Sequence, residues 1–368
     1  MCANTGKTKL INHHLLSSFF KMKAKNPFKF PILSLVLLLA MGLYNCKPVP
    51  SEPEVPKFDD KYTDVKLPEV KPTTPVEVIS TPATVTSSAV IATVSADLAA
   101  GKVTAAVTAA VADVQKVISP EEVNKLSDAL TDELLTSLDN GGTLPADLQT
   151  SMLALATNPA LAAYMPKYTL PTVDGVVING FVKETPDKNN EGVIGYPDFS
   201  VAAIQSPCTD SARASFNRAK ATLDAAKTAQ DNEVTTAYNT AVDAINLSAD
   251  AKKGSLTSKY FTIRNDLEIA YSNSMRGINN NKTLLGDSYK VLRLLYVSAR
   301  QESLAIFFLL EKAEIAAVDA ETAKKIANAA NARNTDLATI NGNYNTGIAA
   351  MTTTLNATFG TCHDQGQG

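Results

Sequence analysis

The chain has no tryptophan, only three histidines and four cysteines, and not one proline after Pro207. Before residue 46 it has no acidic side chain, and nowhere does it have an apolar run of the roughly 20 residues that a membrane-crossing helix needs. Each absence removes something. The shortage of histidine, with two of the three adjacent at His13 and His14, leaves little from which to build a Ser-His-Asp triad or a multi-histidine zinc site. The proline-free final 160 residues or so remove the commonest interruption of a long helix.

What the N-terminus does have is a short apolar run, Ile32 to Tyr44, preceded by Lys21, Lys23, Lys25 and Lys29. A basic region followed by a brief apolar one is the pattern of an export signal. It ends Leu43-Tyr44-Asn45-Cys46, with leucine three residues before a cysteine rather than a small-residue cleavage site. This resembles the lipobox of bacterial lipoproteins, in its relaxed form similar to that of spirochaetal, leptospiral-type lipoproteins; Asn45 stands where Gly or Ala is common. The resemblance covers about 25 residues. It implies a signal peptide over residues 1–45, acylation of Cys46, and an extracytoplasmic chain held on a bacterial membrane, the outer membrane foremost, on its periplasmic side or at the cell surface. Met22-Lys23-Ala24-Lys25 makes a conventional start, so translation is expected to begin there.

Processing changes the composition. Residues 1–45 hold six lysines and no acid, so the formal net charge moves from −3 to −9. Nucleic acid, which is bound through clustered Lys and Arg, is set aside as a partner. The remaining thiols are Cys208 and Cys362; two thiols in an exported chain read as one disulfide, with two free buried thiols as the competing reading. One histidine, His363, remains. No nucleophile-base pair, phosphate loop or metal cluster is evident, so the chain is read as a non-enzyme without a cofactor.

Residues 46–84 read as the acylated cysteine and a tether, with eight prolines between Pro48 and Pro82. Such a segment favours polyproline II and could hold a domain up to roughly 100 Å from a membrane. Residues 85–166 read as a small helical domain. Val90, Val94, Leu98, Val107, Val111, Val114 and Ile118 recur at helical spacing, broken at Gly101. Ser119-Pro120-Glu121-Glu122 is a capping box opening a helix that carries Leu126, Leu130, Leu134, Leu135 and Leu138, and Asn140-Gly141-Gly142 stops it. Two more helices begin at Pro145 and Pro159.

Residues 167–207 read as an irregular connector, with a hairpin through Val173-Asp174-Gly175-Val176-Val177-Ile178. Asp187-Lys188-Asn189-Asn190-Glu191-Gly192, with Asp198 at the twelfth position, echoes a calcium-binding loop. Glu at position 5, Asp at position 12 and Pro197 make a polar turn the better reading.

Residues 208–362 carry a three-four apolar stripe rich in alanine, from Phe216, Ala219 and Leu223 to Ile348, Met351 and Leu355. The polar break Asn279-Asn280-Asn281-Lys282 and Gly286-Asp287 lie midway between Cys208 and Cys362, so an antiparallel turn there would bring the two cysteines together. The fold class is therefore all-α: a small N-terminal helical domain plus a long antiparallel helical hairpin or a four-helix bundle, closed by a disulfide. The bundle would need breaks near Ser248–Gly254 and near Ala320, and a hairpin folded back at least in part is preferred. Residues 363–368 are a tail. Leu304 to Leu310, the most apolar stretch after Cys46, reads as the buried centre.

Two functions follow. The first is a lipid-anchored envelope or surface module, structural or adhesin-like, contacting a protein partner or a host component. The alternative is a periplasmic binding module for a lipid or small hydrophobe, with Phe307 and Phe308 lining its pocket.

Overall fold

Two helices dominate the molecule: Pro207–Asn280 and Ser288–Asp364, 74 and 77 residues long, antiparallel and in contact along their length. The computed structural model describes residues 55–180 and 206–364. The signal segment, Cys46 and the calcium-loop echo at Asp187–Asp198 lie outside the described residues. The described residues from Lys57 onward belong to one compact unit.

In chain order the first unit of helices is α1 (Ala89–Ala99), α2 (Ala105–Gln115), α3 (Pro120–Ala129), α4 (Asp132–Asp139) and α5 (Ala146–Ala156). The long helices are α6 (Pro207–Asn280) and α8 (Ser288–Asp364), separated by the single turn α7 (Lys282–Leu285). Among the described residues five short strands accompany them: β1 (Ser80–Thr81), β2 (Thr84–Thr86), β3 (Lys167–Thr169), β4 (Thr172–Val173) and β5 (Val176–Val177).

Local chemistry sets the short helices. Ser88 caps α1, accepting from the Ile91 N–H, and Gly101 with φ +69° ends the turn after it. Ser119 caps α3, accepting from the Glu122 N–H at 3.2 Å, with Pro120 in the first turn. The single helix expected over Leu126–Leu138 is in fact two. Leu130 leaves helical geometry with ψ 67°, and Thr131 caps α4 by accepting from the Leu134 N–H. The Thr131-Asp132-Glu133 cap signal outweighs the continuous leucine stripe. Pro145 precedes α5 as expected, whereas Pro159–Tyr164 is a 3-10 turn capped by Asn158. Beyond it, β4 and β5 form the expected hairpin, with Asp174 (φ 49°) and Gly175 (φ 78°) supplying the left-handed turn.

The hairpin does not fold back, and the four-helix alternative is not realised. Gly254 sits inside α6 with open space around it, and one interior glycine costs a helix only about 1 kcal/mol. Ion pairs on both sides of it tie α6 to α8: Lys252–Glu321 at 2.7 Å, Lys253–Asp319 at 2.5 Å and Lys259–Glu314 at 2.9 Å. They bridge the two helices at the proposed break points, and both helices run through them unbroken. At 1.5 Å per residue each arm is about 110 Å long. Ser206 and Thr209 form a reciprocal capping box at the start of α6, and Gly286 with φ +57° turns the chain at the apex.

At the open end Cys208 and Cys362 are disulfide-bonded, their Cα atoms 5.8 Å apart. The lower seam is narrow, built from Ala212, Leu223, Val234, Ile340 and Met351. Gly347 permits a close approach: a Cβ there would stand 3.0 Å from a Leu223 methyl.

The main core lies at the other end. Val94, Leu98, Val107, Val114, Leu126, Leu138, Met152 and Leu161 from the short helices pack with Tyr271, Ile278, Leu292 and Leu295 of the hairpin in one cluster. Two buried arginines seven residues apart on α8 serve the carbonyl ends of short helices. Arg293 donates to the Leu130 carbonyl at 2.5 Å, and Arg300 to those of Leu138 and Gly142 at 3.4 and 3.5 Å. Cations there offset the partial negative charge of α3 and α4 where each ends. The Leu304–Leu310 stretch is only partly interior: Ile306, Phe307 and Leu310 are buried, while Phe308 is 54% exposed beneath Arg264.

Residues 57–82 do not hang free, as a spacer would. They lie along the hairpin as a strap. Tyr62 packs with Leu223 and Met351, and Ala83 packs with Tyr260, Ile306 and Leu310. The strap thus covers about 41 to 45 residues of α8, or about 65 Å, with about 21 residues of its own, close to the polyproline II rise of about 3.1 Å per residue.

Candidate functional site

The strap is held mainly by side chains of the hairpin that reach its backbone. Near the disulfide end, Arg218 donates to Asp59 at 2.7 and 3.0 Å, and Tyr62 meets Phe216 edge to face. Higher up, Gln230 uses both ends of its amide. Its oxygen accepts from the Val70 N–H and its nitrogen donates to the Pro68 carbonyl, each at 3.1 Å. Asp336 accepts the Thr73 N–H at 2.7 Å and the Thr73 hydroxyl at 2.6 Å. Asn328 donates to the Val76 carbonyl at 2.9 Å. Reading the backbone of an extended proline-bearing segment from flanking side chains is how polyproline grooves work.

Above this the strap enters the small sheets. β1 pairs with β4, and β2 with β3, both antiparallel. Val78 and Val173 are buried against Ala317. Glu321, only 5% exposed, accepts the Ser80 hydroxyl at 2.9 Å together with the ammonium groups of Lys252 and Lys325. Burial pushes the Glu321 carboxyl up, but these three hydrogen bonds outweigh it and hold it at about 2. Glu314, also buried, accepts the Ala83 N–H at 2.8 Å and the Lys259 ammonium. Burial beside Glu314 and Glu311 pushes the Tyr260 hydroxyl far up.

Two hollows flank Glu321. One of about 190 Å³ is lined by Ile245, Ala249, Lys252, Val318 and Lys325, and one of about 180 Å³ by Pro82, Pro171, Leu256 and Ala317 among others. Both are smaller than the 300–1,000 Å³ usual for a drug-sized ligand. Phe307 is packed against Tyr260 rather than lining a pocket, and Phe308 points outward.

Of the residues singled out in the sequence, Cys208 and Cys362 are brought together at the base of the hairpin, and Cys46 lies outside the described residues. Sequence reasoning missed Gln230, Glu314, Glu321, Asn328 and Asp336. A signal existed for two of them: Glu314 and Glu321 are seven residues apart within a stretch of α8 otherwise buried through Ala313, Ala316 and Ala317. Charge at that spacing inside an apolar stripe marks a polar partner across the seam.

Among the described residues, no group of three or more His, Cys, Asp or Glu is placed to hold a metal ion, and no helix is long and apolar enough to cross a membrane. No family model, characterised protein or solved structure matches the chain.

Proposed function

We propose that the chain is a lipid-anchored lipoprotein of a bacterial envelope or cell surface, acting as a stalk that presents its short-helix end to a protein partner or host component. The observation that carries this reading is the pair of unbroken helices of 74 and 77 residues with the short helices packed at one end only. A hairpin of this length supplies stand-off of about 110 Å and little interior for a ligand.

Two further features support the reading. The disulfide at the base suits an oxidising, extracytoplasmic compartment. The strap also begins at that base, where Asp59 meets Arg218, so a thioether-linked lipid on Cys46 would be about 11 residues away along the chain. At about 3.1 Å per residue that is a reach of about 34 Å. The base would then face the membrane and the short helices would be remote from it.

External protease added to intact cells tests the reading. Loss of the short-helix end from intact cells supports a surface adhesin-like role. Protection in intact cells and cleavage only after permeabilisation supports an envelope-internal partner. Recovery of the protein in the aqueous phase of a detergent partition, with the same behaviour for Cys46→Ser, would remove the anchored reading altogether.

A further inference from the structure

From residue 63 to residue 77 the strap contains no buried side chain. Fifteen consecutive residues are held to the hairpin through three clamps, Gln230, Asn328 and Asp336, making five hydrogen bonds in all. Their inward side is formed by half-buried Val65, Leu67, Val70, Pro72 and Pro75, of which Val65 and Leu67 pack against the Tyr62, Leu223 and Met351 cluster. Above this stretch the attachment changes character. Val78 is buried against Val173 and Ala317, strand pairing begins at Ser80, and the carboxylates of Glu321 and Glu314 take Ser80 and Ala83. Below it, the buried groups among the described residues are Phe58 and Tyr62.

The hairpin under the strap has its own closure. Cys208 and Cys362 join its open end covalently, and α6 and α8 are paired by ions along the middle. Removing the strap leaves both intact. The strap sequence is also suited to a free state: Pro68, Pro72 and Pro75 restrict the released chain to much the same extended conformation it has when docked, so release gains little entropy and redocking costs little.

We infer that residues 57–77 are a releasable latch, which peels from the hairpin up to a fixed stop at Val78 while the rest of the body stays folded. Local opening of this kind is expected where few fully buried apolar groups and a handful of partly or fully exposed hydrogen bonds hold a segment. Its consequence for reach rests on the acyl anchor proposed above; the release itself does not. Docked, the chain leaves about 11 residues between Cys46 and the body. Released to Val78, it leaves about 32, changing the reach from about 34 Å to about 100 Å at the polyproline rise. A load on the short-helix end, or a partner competing for the groove, would then lengthen the tether without unfolding the stalk.

Native-state proteolysis of the full mature chain tests the latch, reading the Lys66–Leu67 bond with trypsin and the Glu69–Val70 bond with a glutamate-specific protease. Both flanking acidic and basic residues are exposed, so cleavage reports opening of the backbone rather than access to the side chain. Asp336→Ala removes the two Thr73 bonds from the hairpin side, and Thr73→Pro removes them from the strap side without touching the helices. Each should speed both cleavages by about tenfold or more, given a charge-assisted bond lost, while cleavage after Lys252 and Lys253 in α6 stays at the wild-type rate. Strap cleavage unchanged in Thr73→Pro would overturn the latch, as would strap and α6 bonds cleaving together in every variant. An unlipidated chain that still shows selective strap cleavage retains the latch and loses only the change in reach.

Discussion

Arg300 forks onto Glu268, its Nε and Nη2 each reaching a carboxylate oxygen at 2.7 Å, from a side chain that is 2% exposed. The same Nη2 faces the carbonyls that end α4, and the guanidinium lies 5.3 Å from the Tyr271 ring centre. One arginine therefore ties α6, α8 and the short helices together.

Arg300→Ala should destabilise the protein by about 3 kcal/mol, the cost of breaking a buried pair and orphaning the carbonyls it serves. Arg300→Lys should recover little, because an ammonium cannot make the planar fork. Urea unfolding measures both, with an unchanged m-value showing that the compactness of the end states is preserved.

Gly254→Ala tests the continuity of α6. The position is helical, with no atom within 4 Å of an added Cβ. Alanine should stabilise by about 0.5–1 kcal/mol through lower entropy of the unfolded chain and better helix propensity. A loss of stability at this site would show that the chain bends there.

The disulfide closes a loop with a sequence separation of 154. Its removal in Cys208→Ser should cost about 5 kcal/mol on the chain-entropy account. The loss should be accompanied by faster amide exchange in the last turns at the base of the hairpin, with the shared core at the apex keeping its protection.

Glu321 gives the acid limb of the stability curve. Its carboxyl titrates at about 2 in the folded chain, against an ordinary value of 4.5. A depressed folded value means the stabilisation is fully present above about pH 4.5 and is lost as the pH falls through about 2. The stability difference between wild type and Glu321→Gln should therefore be constant from pH 7 to 5 and shrink between pH 4.5 and 2. Denaturant midpoints across that range read it directly.

The elements legible in the sequence were those carried by local chemistry or by simple symmetry. Ser119-Pro120 marks a helix start because a hydroxyl cap and a donorless imide suit that position in any fold. The pairing of Cys208 with Cys362 follows from their equal distance from Asn281–Gly286. The split at Leu130–Thr131 was masked because the leucines keep their period across it. Gly254 and its polar neighbours suggest a fold-back at Ser248–Gly254, whereas the ion pairs that bridge α6 to α8 there join residues about 65 to 70 apart, out of reach of local sequence pattern. The strap was invisible for a different reason. Gln230, Asn328 and Asp336 bind its backbone, and a peptide group has the same donors and acceptors whatever the side chain. Prolines announce an extended conformation but not the surface it lies on.

We propose that this helical body is tethered by lipid at Cys46. Mass spectrometry of the N-terminal peptide from the membrane-extracted mature protein tests it most directly. The expected peptide begins at Cys46 and carries a thioether-linked diacylglycerol. A mature protein that retains Ile32–Asn45, or begins at Cys46 with an unmodified thiol, would contradict it.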